Sequence, residues 1–187
     1  MTYGYLKVIT GPMYAAKTTT LLRDILWARN GEEKDTLVVK PAFDDRYSET
    51  RIVTHDGLSV NCHSIKEWST VERKAEFAEI VFFDEVQFFE QPNFEDEIIP
   101  IIKHLLLMGK KVVCNGLDMD VFGNAFPTTS TLLGMADEAL KLTSACSVCG
   151  RTATKTFRVT DGAKKVELGS TGVYEPRCNE HWTPAEK

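Results

Sequence analysis

No apolar run in the 187 residues approaches the ~18 that a membrane-crossing helix needs, so no membrane partner is expected. The opening stretch MTYGYLKVITG has no basic region ahead of an apolar core. It does not read as an export signal, and a cytoplasmic location is the expectation. Positive charge is in deficit: 22 Lys and Arg against 27 Asp and Glu leave a formal net charge of −5. That balance speaks against a broad basic surface for nucleic acid, while leaving room for a small, locally positive pocket that takes polyphosphates. Cysteine is scarce and odd in number: of five, Cys62 and Cys114 stand alone, and Cys146, Cys149 and Cys178 come late. An odd count containing a CxxC pair, without an export signal, favours metal over disulfides. Internal repeats and low-complexity tracts are missing too.

What is present is an alternation of short apolar runs with helical patterns, at 43% hydrophobic overall. Leu6 to Thr10 (LKVIT) reads as a buried strand, and Lys17 to Asn30 as a helix, with Leu21, Leu22, Ile25 and Leu26 at helical spacing. Gly31 stands where a C-cap glycine would. Further strands are expected over Thr36 to Lys40, Ile80 to Asp84, Lys111 to Asn115 and Ala139 to Leu142. A hairpin is expected around His55-Asp56-Gly57, and a helix over Phe94 to Met108, closed by Gly109. Strand–helix alternation predicts an α/β fold: a mostly parallel sheet with helices on both faces. Apolar runs shorten after about Thr143 while cysteine, glycine and threonine rise. The expected division is therefore a main domain over 1–143 and a small metal-held appendage over 144–187.

Between the first strand and first helix lies Gly11-Pro12-Met13-Tyr14-Ala15-Ala16-Lys17-Thr18. The P-loop pattern is GxxxxGK[ST] in that same context. Main-chain N–H groups at a helix N-terminus point at phosphate oxygens, and the helix dipole favours anions there. Lys17 would carry charge to the β- and γ-phosphates, and the Thr18 hydroxyl would ligate Mg²⁺. Ala16 replaces the pattern's second glycine; if that position needs φ > 0, alanine costs about 1 kcal/mol or more. The plain alternative is a strand-turn-helix with an exposed lysine. Asp84-Glu85, after the apolar strand 80–83, resembles a Walker B acid at the carboxyl end of a core strand, where open α/β sheets place ligands. Asp84 would hold magnesium, and Glu85 could accept a proton from a hydroxyl or a water. The plain alternative is a strand ending in solvated acids.

Cys146-x-x-Cys149 and Cys178-x-x-His181 make two halves of a tetrahedral site suited to a structural Zn²⁺, with four protein ligands and no open position. The loop that it closes, 150–177, has too little hydrophobic content to fold alone. Chance cysteines plus a surface histidine are the alternative.

With these features in order, the chain resembles the type II thymidine kinases, the family of the human cytosolic enzyme and most bacterial ones. The resemblance runs nearly end to end, through TGPMYAAKTTTLL (10–22), VVKPAFDDRYSE (38–49), THDG (54–57), VFFDEVQFF (81–89), GLDMD (116–120), LTSACSVCG (142–150) and YEPRCNEH (174–181). It implies a P-loop NTPase of RecA-like type with a C-terminal zinc-held lasso. The implied reaction transfers the ATP γ-phosphate to the 5′-hydroxyl of thymidine. Glu85 would be the general base, and Asp84 part of the magnesium shell. Asp44 and Arg46 would lie near the metal and the transferring phosphoryl, and Gln87 would join the ATP-Mg²⁺ residues. Phe88, Leu117, Thr156 and Tyr174 would surround the nucleoside, with the lasso bonding the base largely through main chain. The resemblance also implies a homotetramer inhibited by thymidine triphosphate. Besides Ala16, Val121-Phe122 departs from the bacterial pattern, which usually reads Phe-Arg after LDMD; the base pocket could differ there. Two other readings compete: an ATPase that uses Glu85 to activate water, and a zinc-held nucleic-acid module.

Overall fold

The computed structural model describes residues 2–42, 50–54, 57–159 and 172–185. In chain order the elements are β1 (Tyr5–Thr10), α1 (Lys17–Asn30), β2 (Thr36–Pro41), β3 (Arg51–Val53), β4 (Ser59–Asn61), β5 (His63–Ile65), α2 (Glu72–Phe77), β6 (Ile80–Phe83), α3 (Ile98–Leu107), β7 (Lys111–Gly116), α4 (Pro127–Met135), β8 (Glu138–Lys141), β9 (Ser144–Ala145), β10 (Thr152–Ala153), β11 (Lys155–Arg158) and β12 (Tyr174–Arg177). Six strands form one sheet in the order β5-β2-β6-β7-β1-β8, and every pairing within it is parallel.

Both faces of the sheet's centre are covered, so β2, β6, β7 and most of β1 are apolar on both sides, while the edge strand β8 is mostly exposed. Ile9, Val38, Phe82 and Val113 pack on one face against Leu21, Leu22, Ile25 and Ala28 of α1 and against Ile52 and Val60 of the β3–β4 hairpin. Their sequence neighbours Val8, Val39, Phe83 and Cys114 point to the other face, onto Ile98, Ile102 and Leu105 of α3 and Leu132 of α4. The expected α/β architecture is therefore the observed one, and α1 and the hairpin fall where the sequence places them. Residues 55 and 56 of the expected turn lie outside the described residues.

Three expectations differ in detail. The helix expected from Phe94 begins at Ile98. Pro100 sits in its first turn, where a missing N–H costs nothing, but a proline ring there obstructs helical backbone four residues earlier. The preceding segment is held elsewhere: Phe94 packs edge-on to Phe89 at 5.0 Å, and the Asp96 carboxylate accepts the Trp68 N–H at 2.6 Å. Gly31 does follow α1, yet with φ −97°, right-handed; the left-handed residue of that turn is Glu33, φ 52°. Periodicity misses β5, α2 and α4, which are short or carry little amphipathic pattern.

Candidate active site

All six strands run the same way, so β1, β2, β6 and β7 end at one edge. A cavity opens there, lined by Lys17, Thr18, Lys40, Arg51, Asp84 and Glu85 among others. β7 stands between β1 and β6 in the sheet, which sets the phosphate loop one strand away from the acidic pair.

The loop from Gly11 to Ala16 turns β1 into α1. Gly11 has φ 145°, and a Cβ there would run into the carbonyl oxygen of Leu142, so the position admits glycine alone. Tyr14 (φ 62°) and Ala16 (φ 57°, ψ 28°) are both left-handed, which confirms that the pattern's glycine position needs positive φ. Ala16 is the N-cap of α1, with no side-chain cap and no acid in the first turn, and its methyl group is exposed. The helix therefore offers its dipole and its first N–H groups to the cavity without a built-in anion. Lys17 is 91% buried, and its ammonium donates to the Pro12 carbonyl at 2.8 Å, folded back across the loop.

Asp84 follows directly on β6. It is buried, its N–H donates to the Val39 carbonyl at 3.0 Å, and its Oδ1 accepts a short bond from the Asn115 amide at the end of β7. Glu85 turns left-handed, φ 54° and ψ 49°, which swings its side chain out of strand register. Such backbone costs about 1–3 kcal/mol in a non-glycine residue and gathers at functional sites. The Glu85 carboxylate accepts from the Gln87 amide at 2.5 Å, and the Gln87 carbonyl accepts the Leu117 N–H at 3.0 Å. Gln87 is fully buried, and a Cβ on Gly116 would lie 2.5 Å from its Oε1, so Gly116 makes room for it. Gln87 thus stands behind Glu85, bonded to its carboxylate on one side and to the Leu117 N–H on the other. Asp44 and Arg46 lie outside the described residues.

Cys146, Cys149, Cys178 and His181 come together as the spacing predicts, their ligand atoms all within 4.8 Å of one another. Cys149 Sγ to Cys178 Sγ is 3.8 Å, and Nδ1 of His181 is 3.8 Å from Cys146 Sγ and 3.3 Å from Cys178 Sγ. Tetrahedral zinc with Zn–S of about 2.3 Å needs sulfur pairs roughly 3.8 Å apart, so the donor set fits. Burial opposes ionisation of the Cys146 thiol, yet the backbone N–H groups of Cys178, Val148 and Cys149 outweigh it and bring its pKa down to about 6. A thiolate is the form that binds metal. Outside the ligands, Arg151 donates through Nε to Cys149 Sγ at 3.4 Å and pairs through its two terminal guanidinium nitrogens with Glu180.

This knot is fastened to the phosphate loop. Thr156 on β11 accepts the Met13 N–H through its hydroxyl at 3.0 Å, and Ser144 donates to the Tyr14 carbonyl at 3.1 Å. The Trp182 indole donates to the Thr156 carbonyl at 2.9 Å, and the Ala185 N–H to the Val121 carbonyl, also at 2.9 Å. Thr156 and Tyr174 share the buried face of the antiparallel β11–β12 ribbon with Arg158. Arg158 donates to the Tyr174 hydroxyl at 3.3 Å, with its guanidinium 5.7 Å from the ring centre. Phe88 is buried, and Leu117 is half-buried, its N–H bonded to the side chain of Gln87. Lys40, Asn115 and Arg158 were not singled out from sequence. A polar residue closing an apolar strand, as in TLVVK and KVVCN, was the available signal for the first two.

A P-loop-like turn from strand to helix, an acidic pair at the same carboxyl edge and a Cys₃His knot clasped to the loop together make the frame of a nucleotide-binding enzyme. The family model described as thymidine kinase matches residues 4–182. A thymidine kinase of Coprothermobacter proteolyticus is 40% identical over 184 residues, covering 95% of this chain and 90% of that protein. One of Thermococcus kodakarensis is 37% identical over 190 residues, covering 95% and 93%. The chain belongs to the thymidine kinase family. A solved structure of domain III of the Thermotoga maritima replication initiation protein DnaA overlaps at a TM-score of 0.45 and 14% identity, over 75% of this chain and 55% of that one, too loosely to bear on function.

Proposed function

We propose that this chain transfers the γ-phosphoryl group of ATP to the 5′-hydroxyl of thymidine. The observation that carries the reading is a single cavity holding both the N-terminal loop of α1, with Lys17, and the acidic pair Asp84-Glu85, in a member of the thymidine kinase family. Main-chain N–H groups and Lys17 grip the phosphates. The Glu85 carboxylate, oriented by Gln87, takes the 5′-hydroxyl proton as the new oxygen–phosphorus bond forms and the bond to the β-phosphate bridging oxygen breaks, releasing ADP. Asp84 and the Thr18 hydroxyl are hard oxygen donors gathered in the same cavity, a donor set that suits Mg²⁺. Bound magnesium supplies charge neutralisation on the β- and γ-phosphates. Thr156, Tyr174, Phe88 and Leu117 surround the base in this reading, with 1–143 as the nucleotide-binding domain and 144–187 as its zinc-held cover. A structural zinc, a homotetramer, feedback by thymidine triphosphate and a cytoplasmic location belong to the same reading, on the strength of the family likeness. No helix among the described residues is long and apolar enough to cross a membrane.

The test is a transfer assay with γ-labelled ATP, Mg²⁺ and a panel of deoxynucleosides. Label is expected on thymidine above all others. Inorganic phosphate released at the same rate without any nucleoside would favour the water-activating ATPase instead.

A further inference from the structure

Among the described residues, Lys40 is the most deeply buried cation lining the transfer cavity, at 2% exposure, and none of the steps above uses it. Its position follows from strand register. Val39 of β2 pairs with Phe83 of β6, and Phe83 with Cys114 of β7. One residue further along each strand stand Lys40, Asp84 and Asn115. Side chains alternate along a strand, and Val39, Phe83 and Cys114 all face α3. Lys40, Asp84 and Asn115 therefore form a polar row on the α1 side, the side on which the phosphate loop enters its helix. The Asn115–Asp84 hydrogen bond verifies that geometry for two of the three. The Lys40 ammonium lies 3.4 Å from the Arg51 carbonyl, on the hairpin that forms the far side of the cavity.

A buried ammonium is costly, and a site that keeps one gains from it when charge of the opposite sign arrives. Here two carboxylates, Asp84 and Glu85, share the cavity with the position an incoming triphosphate would take. A base that must approach a polyanion as an anion itself needs cations placed between them. Lys17 serves from the loop side; Lys40 stands on the opposite side, at the end of β2.

We propose that Lys40 is a further catalytic residue, a fixed positive charge directed at the transferring phosphoryl group from the β2 side of the cavity. This rests on the phosphotransferase reading above. Charge on the equatorial oxygens of a loose transition state is stabilised by such preorganised cations, and the gain appears in kcat more than in ATP affinity.

The experiment compares wild type with Lys40→Met, Lys40→Gln and Lys40→Arg. Direct ATP-Mg²⁺ binding is measured alongside kcat at saturating ATP, Mg²⁺ and thymidine, and folding is checked by thermal melting. The two neutral variants should lose about a hundredfold in kcat while ATP affinity stays within about threefold, and Lys40→Arg should recover part of the loss. A kcat within about threefold of wild type in the neutral variants overturns the proposal. So does an ATP affinity that falls in step with kcat, which would make Lys40 a ground-state phosphate ligand, or an arginine variant no better than glutamine. Failure of both neutral variants to fold would assign the ammonium to stability and overturn it as well. Wild type in the same assay keeps the two readings apart: no transfer to thymidine there defeats the reaction assignment, whereas transfer by wild type and neutral variants alike defeats only the role of Lys40.

Discussion

Ala16 holds left-handed backbone at the N-cap of α1, where an alanine costs about 1 kcal/mol over glycine. Ala16→Gly removes that strain in the folded state but loosens the unfolded chain by about 0.4–1 kcal/mol, so stability should change little. ATP affinity, measured by calorimetry, should hold or tighten; a clear loss would mean that the loop has adapted its backbone to alanine. The methyl group is tolerated because it is exposed, a point that the pattern GxxxxGK[ST] does not convey. Asn115 is a second residue with a sharp expectation. It is fully buried, and it supplies the donor that holds the Asp84 carboxylate. Asn115→Ala should destabilise the protein by roughly 1–3 kcal/mol in denaturant unfolding, because the buried Asp84 carboxylate loses the amide donor at its Oδ1. A change within a few tenths would show that Asp84 does not depend on this amide. Lys17, Asp84 and Glu85 were legible from sequence because strand, turn and helix signals bracket them. Asn115 was not, since its role depends on β7 lying beside β6, which no local pattern reports.

At the scale of elements, the fastening of β11 to the phosphate loop is the informative feature. Thr156 accepts the Met13 N–H, so a change in the segment bearing the Cys₃His knot is felt at the loop between β1 and α1. Thr156→Val removes the acceptor at almost constant volume, leaving a part-buried N–H unpaired at a cost of about 1–3 kcal/mol. Steady-state kinetics should show the KM for ATP as well as for thymidine rising by about tenfold, with Thr156→Ser near wild type. An effect on thymidine alone would confine Thr156 to the base. The zinc knot makes a separate prediction. Among the described residues, the buried apolar cluster of the Cys₃His knot is Cys146, Ala153 and Cys178, so a bound metal would supply the order that this packing cannot. Chelation should abolish thymidine phosphorylation while the far-ultraviolet dichroism of α1 and α3 persists. Metal analysis of the intact protein should find one zinc per chain. The doubled x-x spacing made this knot legible in the sequence. The β11–β12 ribbon was not, because its two strands pair across a long connection.

At the scale of the whole molecule, the carboxyl edge of the parallel sheet collects what the chain keeps far apart, residues 11–18, 40, 84–85 and 115, and β11 is bonded to that edge at Met13. That topology is why so much of the fold could be anticipated. Strands buried on both faces are continuous apolar runs, and β1, β2, β6 and β7 read as such; the edge strand β8 is short and mostly exposed, and β5, only three residues long, was missed. Their spatial order was hidden, because β7 inserts between β1 and β6 out of sequence. The central claim is that this edge is a phosphoryl-transfer site with Glu85 as its base. Single-turnover transfer from γ-labelled ATP-Mg²⁺ to thymidine, in wild type and in Glu85→Gln, tests it most directly when ATP binding is measured in the same preparations. The expected result is a rate lower by roughly 10²–10⁴-fold in Glu85→Gln with ATP bound about as tightly as before. Transfer at the wild-type rate by Glu85→Gln would contradict it.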